Sequence, residues 1–157
     1  MILSPSDQYE TPPDVFEAIS KAFGPFNLDV CAQKSTAKCD TYFSIEEGID
    51  ALGVYWNPNF DRTYAWMNPP YSNPRPWVEK ALEQSRAWGM RVVALLPADT
   101  STRWYHLMQQ SDHCILLHPP GRIRFWLDGK PAANSAKFGS VIAIFHPPIS
   151  FKKVVRG

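Results

Sequence analysis

The sequence predicts a three-layer α/β domain built on a mostly parallel sheet. Two observations carry that reading. Short apolar runs at 26–32, 64–67, 91–96, 114–117 and 141–145 alternate with segments whose apolar residues recur at helical spacing. Four of those runs also stop at proline: at Pro69-Pro70, Pro97, Pro119-Pro120 and Pro147-Pro148. Proline cannot continue a central strand. In open α/β sheets ligands bind outside the carboxyl ends of strands. The proline-marked ends are therefore expected to share one ligand-binding edge.

The first element is expected to be a helix with Thr11 as its cap and Pro12 at the first helical position. Val15, Phe16, Ile19, Ala22 and Phe23 form its apolar face, and Gly24-Pro25 ends it. A short buried strand over 26–32 follows, then a polar loop to Asp40 and a brief second strand at Tyr42-Phe43. Residues 46–59 read as irregular. The apolar strand 64–67 runs into Asn68-Pro69-Pro70-Tyr71. A helix over 76–88 comes next, terminated by Gly89. Residues 91–96 are apolar after Arg91, as in strands covered on both faces. Ser101 or Thr102 caps a helix through Met108, and 114–117 is a further strand. Residues 122–127 alternate, and 141–145 is the last strand.

Composition supports a single domain over 1–157. The 157 residues hold 15 prolines, nearly one in ten, against an average of about one in twenty. Only 8 glycines, without a triplet period, exclude a collagen-like chain. With 45% hydrophobic and 20% charged residues the chain is globular, not disordered. A net charge of +1 excludes a strongly basic coat protein but leaves room for a nucleic-acid enzyme with local patches. Cys31, Cys39 and Cys114 are odd in number and widely spaced, which argues against a disulfide framework. No signal peptide or membrane span is visible, so a cytoplasmic location is expected.

The stretch Asn68-Pro69-Pro70-Tyr71 carries the most chemistry. The Asn68 side-chain oxygen is an acceptor. The prolines fix the backbone and remove two donors, leaving carbonyls. Tyr71 adds a flat aromatic face. Two fixed acceptors beside a stacking surface suit a planar exocyclic amine. Accepting both amine hydrogens draws the nitrogen lone pair out of conjugation, as methylation of that nitrogen requires.

Several further segments accompany the tetrapeptide in order. They are Tyr9-Glu10-Thr11-Pro12, Leu28-Asp29-Val30-Cys31-Ala32, Asp50-Ala51-Leu52 with Trp56, Leu95-Leu96-Pro97-Ala98, Thr102-Arg103-Trp104, residues 121–125 and residues 140–145. With these elements the chain resembles the compact phage-type DNA N6-adenine methyltransferases, which use S-adenosylmethionine. The resemblance implies a minimal class I methyltransferase-like, Rossmann-like fold. It implies that Asn68 and the Pro69 carbonyl hold the adenine amine, with Pro70 beside them, and that Tyr71 stacks on the flipped-out base. It places Tyr9, Thr11, Asp29, Cys31, Ala32 and Asp50 at the cofactor. Cys31-Ala32-Gln33 stands where larger amino-methyltransferases have a glycine-rich turn. The implied partner is double-stranded DNA in a bacterial cell, with the gene carried by a phage or prophage.

Arg103, Trp104, Arg122 and Arg124, with Trp126, are the candidate DNA contacts: Trp104 and Trp126 stand beside Arg103 and Arg124, and Arg122 and Arg124 lie near a proline-rich strand end. Asn73, Pro74 and Arg75, with residues 122–134, are candidate specificity loops. Lys152, Lys153 and Arg156 read either as a solvated tail or as phosphate contacts. Trp66, Trp77 and Trp88 are expected in the core. The cysteines and histidines lack the paired spacing of a zinc site, so no metal is expected. Three alternatives stay open from the residues: an RNA guanine methyltransferase, a protein glutamine methyltransferase, or a DNA-binding relic of the fold. Oligomeric state is open too.

Overall fold

The computed structural model describes residues 4–57 and 62–148. A 3₁₀ turn at Pro5–Gln8 leads to helix α1, Pro13–Phe23. Its N-cap is Pro12 and no side chain caps it, so Thr11 is not the expected cap. Thr11 is buried instead, with its hydroxyl unpartnered. Strand β1 is only Leu28–Asp29, shorter than expected. Tyr42 makes a single bridge to Asp29 in place of a second strand. Its neighbours still run along β1, since the N–H of Phe43 donates to the Asp29 carbonyl at 2.9 Å. Two 3₁₀ turns, Ile45–Glu47 and Ala51–Gly53, fill the irregular stretch.

The other elements fall close to expectation. They are β2 Tyr64–Met67, α2 Arg75–Trp88, β3 Arg91–Pro97, α3 Arg103–Gln110 and β4 Cys114–Leu117. The hydroxyl of Thr102 caps α3 by accepting the N–H of Tyr105 at 3.3 Å. Residues 122–131 close into a small hairpin, β5 Trp126–Leu127 and β6 Lys130–Pro131. Its turn needs two positive φ angles, which Asp128 (51°) and Gly129 (76°) supply. Strand β7 is Ser140–Phe145.

The main sheet has the order β1-β2-β3-β7-β4. Strands β1, β2 and β3 are parallel, and β7 is antiparallel to both β3 and β4. Four strands thus point one way and β7 the other. This corrects one expectation. Ser140 lies opposite Pro97, and Phe145 opposite Val92. Pro147-Pro148 therefore follow β7 to the amino edge of the other strands. Pro69-Pro70, Pro97 and Pro119-Pro120 remain on the carboxyl edge.

Alternation along β3 sets the layers. Val92, Ala94 and Leu96 face α2 and α3, where Val78, Ala81, Tyr105 and Met108 complete one core. Val93 and Leu95 face α1, where Ile19, Trp66 and Phe125 build the second. Both faces of β3 are covered, as its apolar run predicts. Beyond the reach of α1, Ile115 (49% exposed) and Leu117 (38% exposed) on β4 stay open to solvent.

Candidate active site

The carboxyl edge of β1 and β2 carries the site. Parallel pairing of β2 with β3 ends at Met67 opposite Ala94. Pro69 and Pro70 have no N–H to extend it. The chain turns out of the sheet and leaves Asn68 at the rim.

Asn68 is held from two sides. Its Nδ2 donates to the Tyr9 carbonyl at 3.2 Å, and its Oδ1 accepts from the Tyr71 hydroxyl at 2.7 Å. Tyr9 belongs to the N-terminal segment, which is fastened across the site. The backbone N–H of Ser72 donates to Asp7 Oδ1 at 2.7 Å. Glu10 exchanges two backbone hydrogen bonds with Trp126, at 2.8 and 3.0 Å, and its carboxylate accepts the N–H of Gly129 at 3.3 Å. The Tyr9 ring stacks on Phe125 at 4.7 Å between centroids, nearly parallel. One segment thus joins the tetrapeptide to the β5–β6 hairpin.

Asp29 ends β1 and is buried. Its carboxylate accepts two backbone N–H groups, from Lys38 at 3.0 Å and Cys31 at 3.2 Å. Burial still outweighs these donors and pushes its pKa up to about 6. The neighbouring Cys31 thiol is pushed up to about 12, first by burial and then by the Asp29 charge. It is a neutral wall group, not a nucleophile.

These residues enclose a cleft of about 470 Å³. Tyr9, Thr11, Asp29, Cys31, Ala32, Asn68 and Pro70 all line it. The structure therefore brings together most of the residues singled out in the sequence. It adds Phe43, Ser44, Glu46, Trp66 and Trp77 to the walls. Ser44 is buried with an unpartnered hydroxyl, like Thr11. Five carboxylates (Asp7, Glu10, Asp29, Glu46 and Asp128) stand in the lining against one ammonium, Lys38. No sequence pattern marked Ser44 or Glu46; the turn at Ile45–Glu47 brings them in.

Four expected residues stand elsewhere. Asp50 is exposed and outside the lining, because its carboxylate caps the Ala51–Gly53 turn by accepting the N–H of Leu52 at 3.0 Å. Pro69 is buried beneath the rim, and only Pro70 reaches the cleft. Tyr71 does not reach it either. Its ring meets those of Tyr9, Phe125 and Phe138 edge-on, and only 9% of the residue is exposed. Trp104 is buried in the α2–α3 core, so its apolar bulk and not the adjacent Arg103 decided its place. Arg103, Arg122 and Arg124 are exposed. The Nε of Arg124 donates to the Ala132 carbonyl at 2.6 Å, beside the hairpin. Trp66 and Trp77 are core residues as expected, and Trp88 is half-buried. Lys152, Lys153 and Arg156 lie outside the described residues.

Among the described residues no three His, Cys, Asp or Glu side chains gather as a metal site. No described helix is long and apolar enough to cross a membrane.

Comparison with known proteins gives the family. A family model described as DNA N-6-adenine-methyltransferase (Dam) matches residues 3–155. A DNA N-6-adenine-methyltransferase of Haemophilus phage HP1 (strain HP1c1) is 35% identical over 123 residues, which cover 78% of this chain and 68% of that one. A DNA N-6-adenine-methyltransferase of Escherichia phage T1 is 33% identical over 105 residues. That match covers 67% of this chain and 42% of the T1 protein. A match running almost from end to end, around a cleft that joins Asn68 to Asp29, assigns the chain to the DNA N-6-adenine-methyltransferase (Dam) family.

Proposed function

We propose that this chain, an adenine-specific DNA methyltransferase by family, binds S-adenosylmethionine in the Asp29 cleft and presents a flipped-out adenine to it at Asn68. The observation that carries the reading is the joining of Asn68 and Asp29 in one cavity.

The residues present fit that cofactor. Its sulfonium and ammonium groups are cationic, and the lining is rich in carboxylates. The half-buried ring of Phe43 in the lining suits its adenine. The unpartnered hydroxyls of Thr11 and Ser44 lie against the same walls. Buried hydroxyls normally have partners, and a polar ligand would supply them after a small shift. Asp29 and Thr11 would hold the charged end. When bound, S-adenosylmethionine supplies an electrophilic methyl group.

The protein's own part is positioning. Asn68 Oδ1 accepts a hydrogen of the adenine amine and aims its lone pair, while Pro69 stays buried beneath it and fixes the backbone. A base inside a duplex cannot reach a cleft at a strand end, so the adenine has to leave the stack. Exposed Arg103, Arg122 and Arg124 meet the DNA backbone. Rate comes mainly from holding two reactants in line and from exclusion of water. The enzyme acts on DNA in the cytoplasm.

A methylation assay with tritiated cofactor, offering DNA, RNA and protein separately, tests the reading. Label is expected in DNA as N6-methyladenine. Label confined to protein or RNA would restore the alternatives that use the same tetrapeptide. DNA binding without any cofactor binding would indicate a non-catalytic relic.

A further inference from the structure

We infer that Asp7 is a positioning residue for methyl transfer: its carboxylate clips the N-terminal segment to Ser72 and so holds the Tyr9 carbonyl that orients Asn68. This rests on the proposed role of Asn68 as the amine acceptor.

The tetrapeptide needs an outside hold. Pro69 and Pro70 have no N–H, so strand pairing does not carry past Met67. The N-terminal segment grips the stretch at both ends. At its start Asn68 Nδ2 donates to the Tyr9 carbonyl at 3.2 Å, and just past its end the Ser72 N–H donates to Asp7 Oδ1 at 2.7 Å. The two bonds differ in strength. The first joins neutral groups. The second is short and ends on a carboxylate, and bonds of that kind are roughly twice as strong. Burial acts to raise the Asp7 pKa, but hydrogen bonds from Ser72 and Ser4 outweigh it and hold the carboxyl below its usual value. The acceptor is therefore ionised at neutral pH. Asp7 sits in the Pro5–Gln8 turn, where its own N–H donates to the Ser4 carbonyl at 3.0 Å. That turn carries its position on to Tyr9, two residues later.

Holding the Tyr9 carbonyl fixes the chemistry at Asn68. A carboxamide presents an acceptor at one end and two donors at the other. The Tyr9 carbonyl can only accept, so it draws Nδ2 toward itself and leaves Oδ1 at the rim. An adenine amine has hydrogens to place there and needs that acceptor. With the segment lifted, the amide would be free to turn its donor end toward the amine.

Asp7 also lines the cleft, where its charge offers a second role, direct attraction of the cationic cofactor. Two variants separate the roles. Asp7→Ala removes both acceptor and charge. Asp7→Asn removes the charge but keeps an oxygen for the Ser72 N–H. In Asp7→Ala kcat should fall by on the order of 10- to 100-fold, the range of misplacement effects. Asp7→Asn should recover most of that loss. Calorimetric Kd for S-adenosylmethionine should stay within about threefold in both, since the interaction lost acts on the reacting geometry. The ¹⁵N signal of the Asn68 side-chain amide, identified by its loss in Asn68→Ala, should shift in Asp7→Ala and return in Asp7→Asn. An unchanged kcat in Asp7→Ala, an unshifted amide signal, or an equal loss in both variants with weakened Kd would overturn the inference. Should Asp7→Ala fail to fold, replacing residue 72 by the α-hydroxy acid of serine deletes the same bond from the donor side. The same loss of kcat and the same amide shift are then expected, and their absence overturns the inference equally. Wild-type enzyme that makes no N6-methyladenine would sink the underlying reading instead, and the amide signal would still show whether Asp7 holds Asn68.

Discussion

The carboxylate of Asp29 accepts the backbone N–H of Lys38, nine positions further along the chain, at 3.0 Å. That bond and its companion from Cys31 favour the ionised form, yet burial dominates and pushes the pKa from 3.8 up to about 6. A raised carboxyl pKa means the folded state binds the proton more tightly than the unfolded chain does. Stability from this group is fully present below about pH 4 and is lost as pH rises through about 6. That rise corresponds to about 3 kcal/mol. Urea unfolding of the ligand-free protein across that window should show this decline, and Asp29→Asn should remove it. A cationic ligand should reverse the preference. Affinity for S-adenosylmethionine is expected to tighten as pH rises through about 6 in the wild type, but not in Asp29→Asn.

Asn68→Ala should reduce turnover by roughly 100-fold or more, since it deletes an acceptor placed against the reacting nitrogen. Cofactor affinity should change little, because Asp29 stands on a different strand. Single-turnover kinetics and calorimetry on one preparation separate the two. An active Asn68→Ala enzyme would refute the amine geometry.

Asp50 offers a contrast with Asp29. Its carboxylate caps a 3₁₀ turn and does not line the cleft. Asp50→Ala should cost about 1 kcal/mol of stability, as for a lost cap. Cofactor affinity should remain within about twofold. A tenfold weakening in calorimetry would return Asp50 to the cofactor site.

DNA binding should separate the arginines from the tryptophan beside them. Arg103→Ala and Arg122→Ala should each weaken binding across all sequences and lower the salt slope by about 1. Trp104→Ala should act through the core instead, costing about 3–5 kcal/mol. Salt-dependent anisotropy titrations and thermal melts report the two effects. Unchanged binding in both arginine variants would move the DNA face elsewhere.

The pattern of the sequence reached the layers but not every strand direction. The apolar run 91–96 and the proline stops place a buried sheet with a ligand edge, and β3 and the Asn68 rim match that. Pro147-Pro148 misled because proline marks where a strand stops and not which way it runs. The direction of β7 depends on its neighbours, β3 and β4, far away in sequence. The place of Asp29 was legible because it ends a buried strand, and the structure puts it in the cleft wall. Asp50 was not, because a carboxylate capping its own turn carries the same local signature as one awaiting a ligand. Trp104 and Tyr71 show a shared limit. An aromatic beside an arginine, or at the end of an exposed motif, offers a surface role and a core role. Packing against α2 and against three other rings decided for the core.

The place of β7 also dictates an order of assembly. Among the described residues strand β4 joins the sheet through β7 alone, yet it precedes β7 in the chain. On the ribosome β1, β2 and β3 can pair as they emerge, while β4 waits without a strand partner until residue 145 has left the exit tunnel. Until then the outer edge of β3 stays open, with a row of unpaired backbone groups and an apolar surface beside it. A nascent chain halted within the hairpin region would carry both hazards, so β7 acts as the safeguard against self-association.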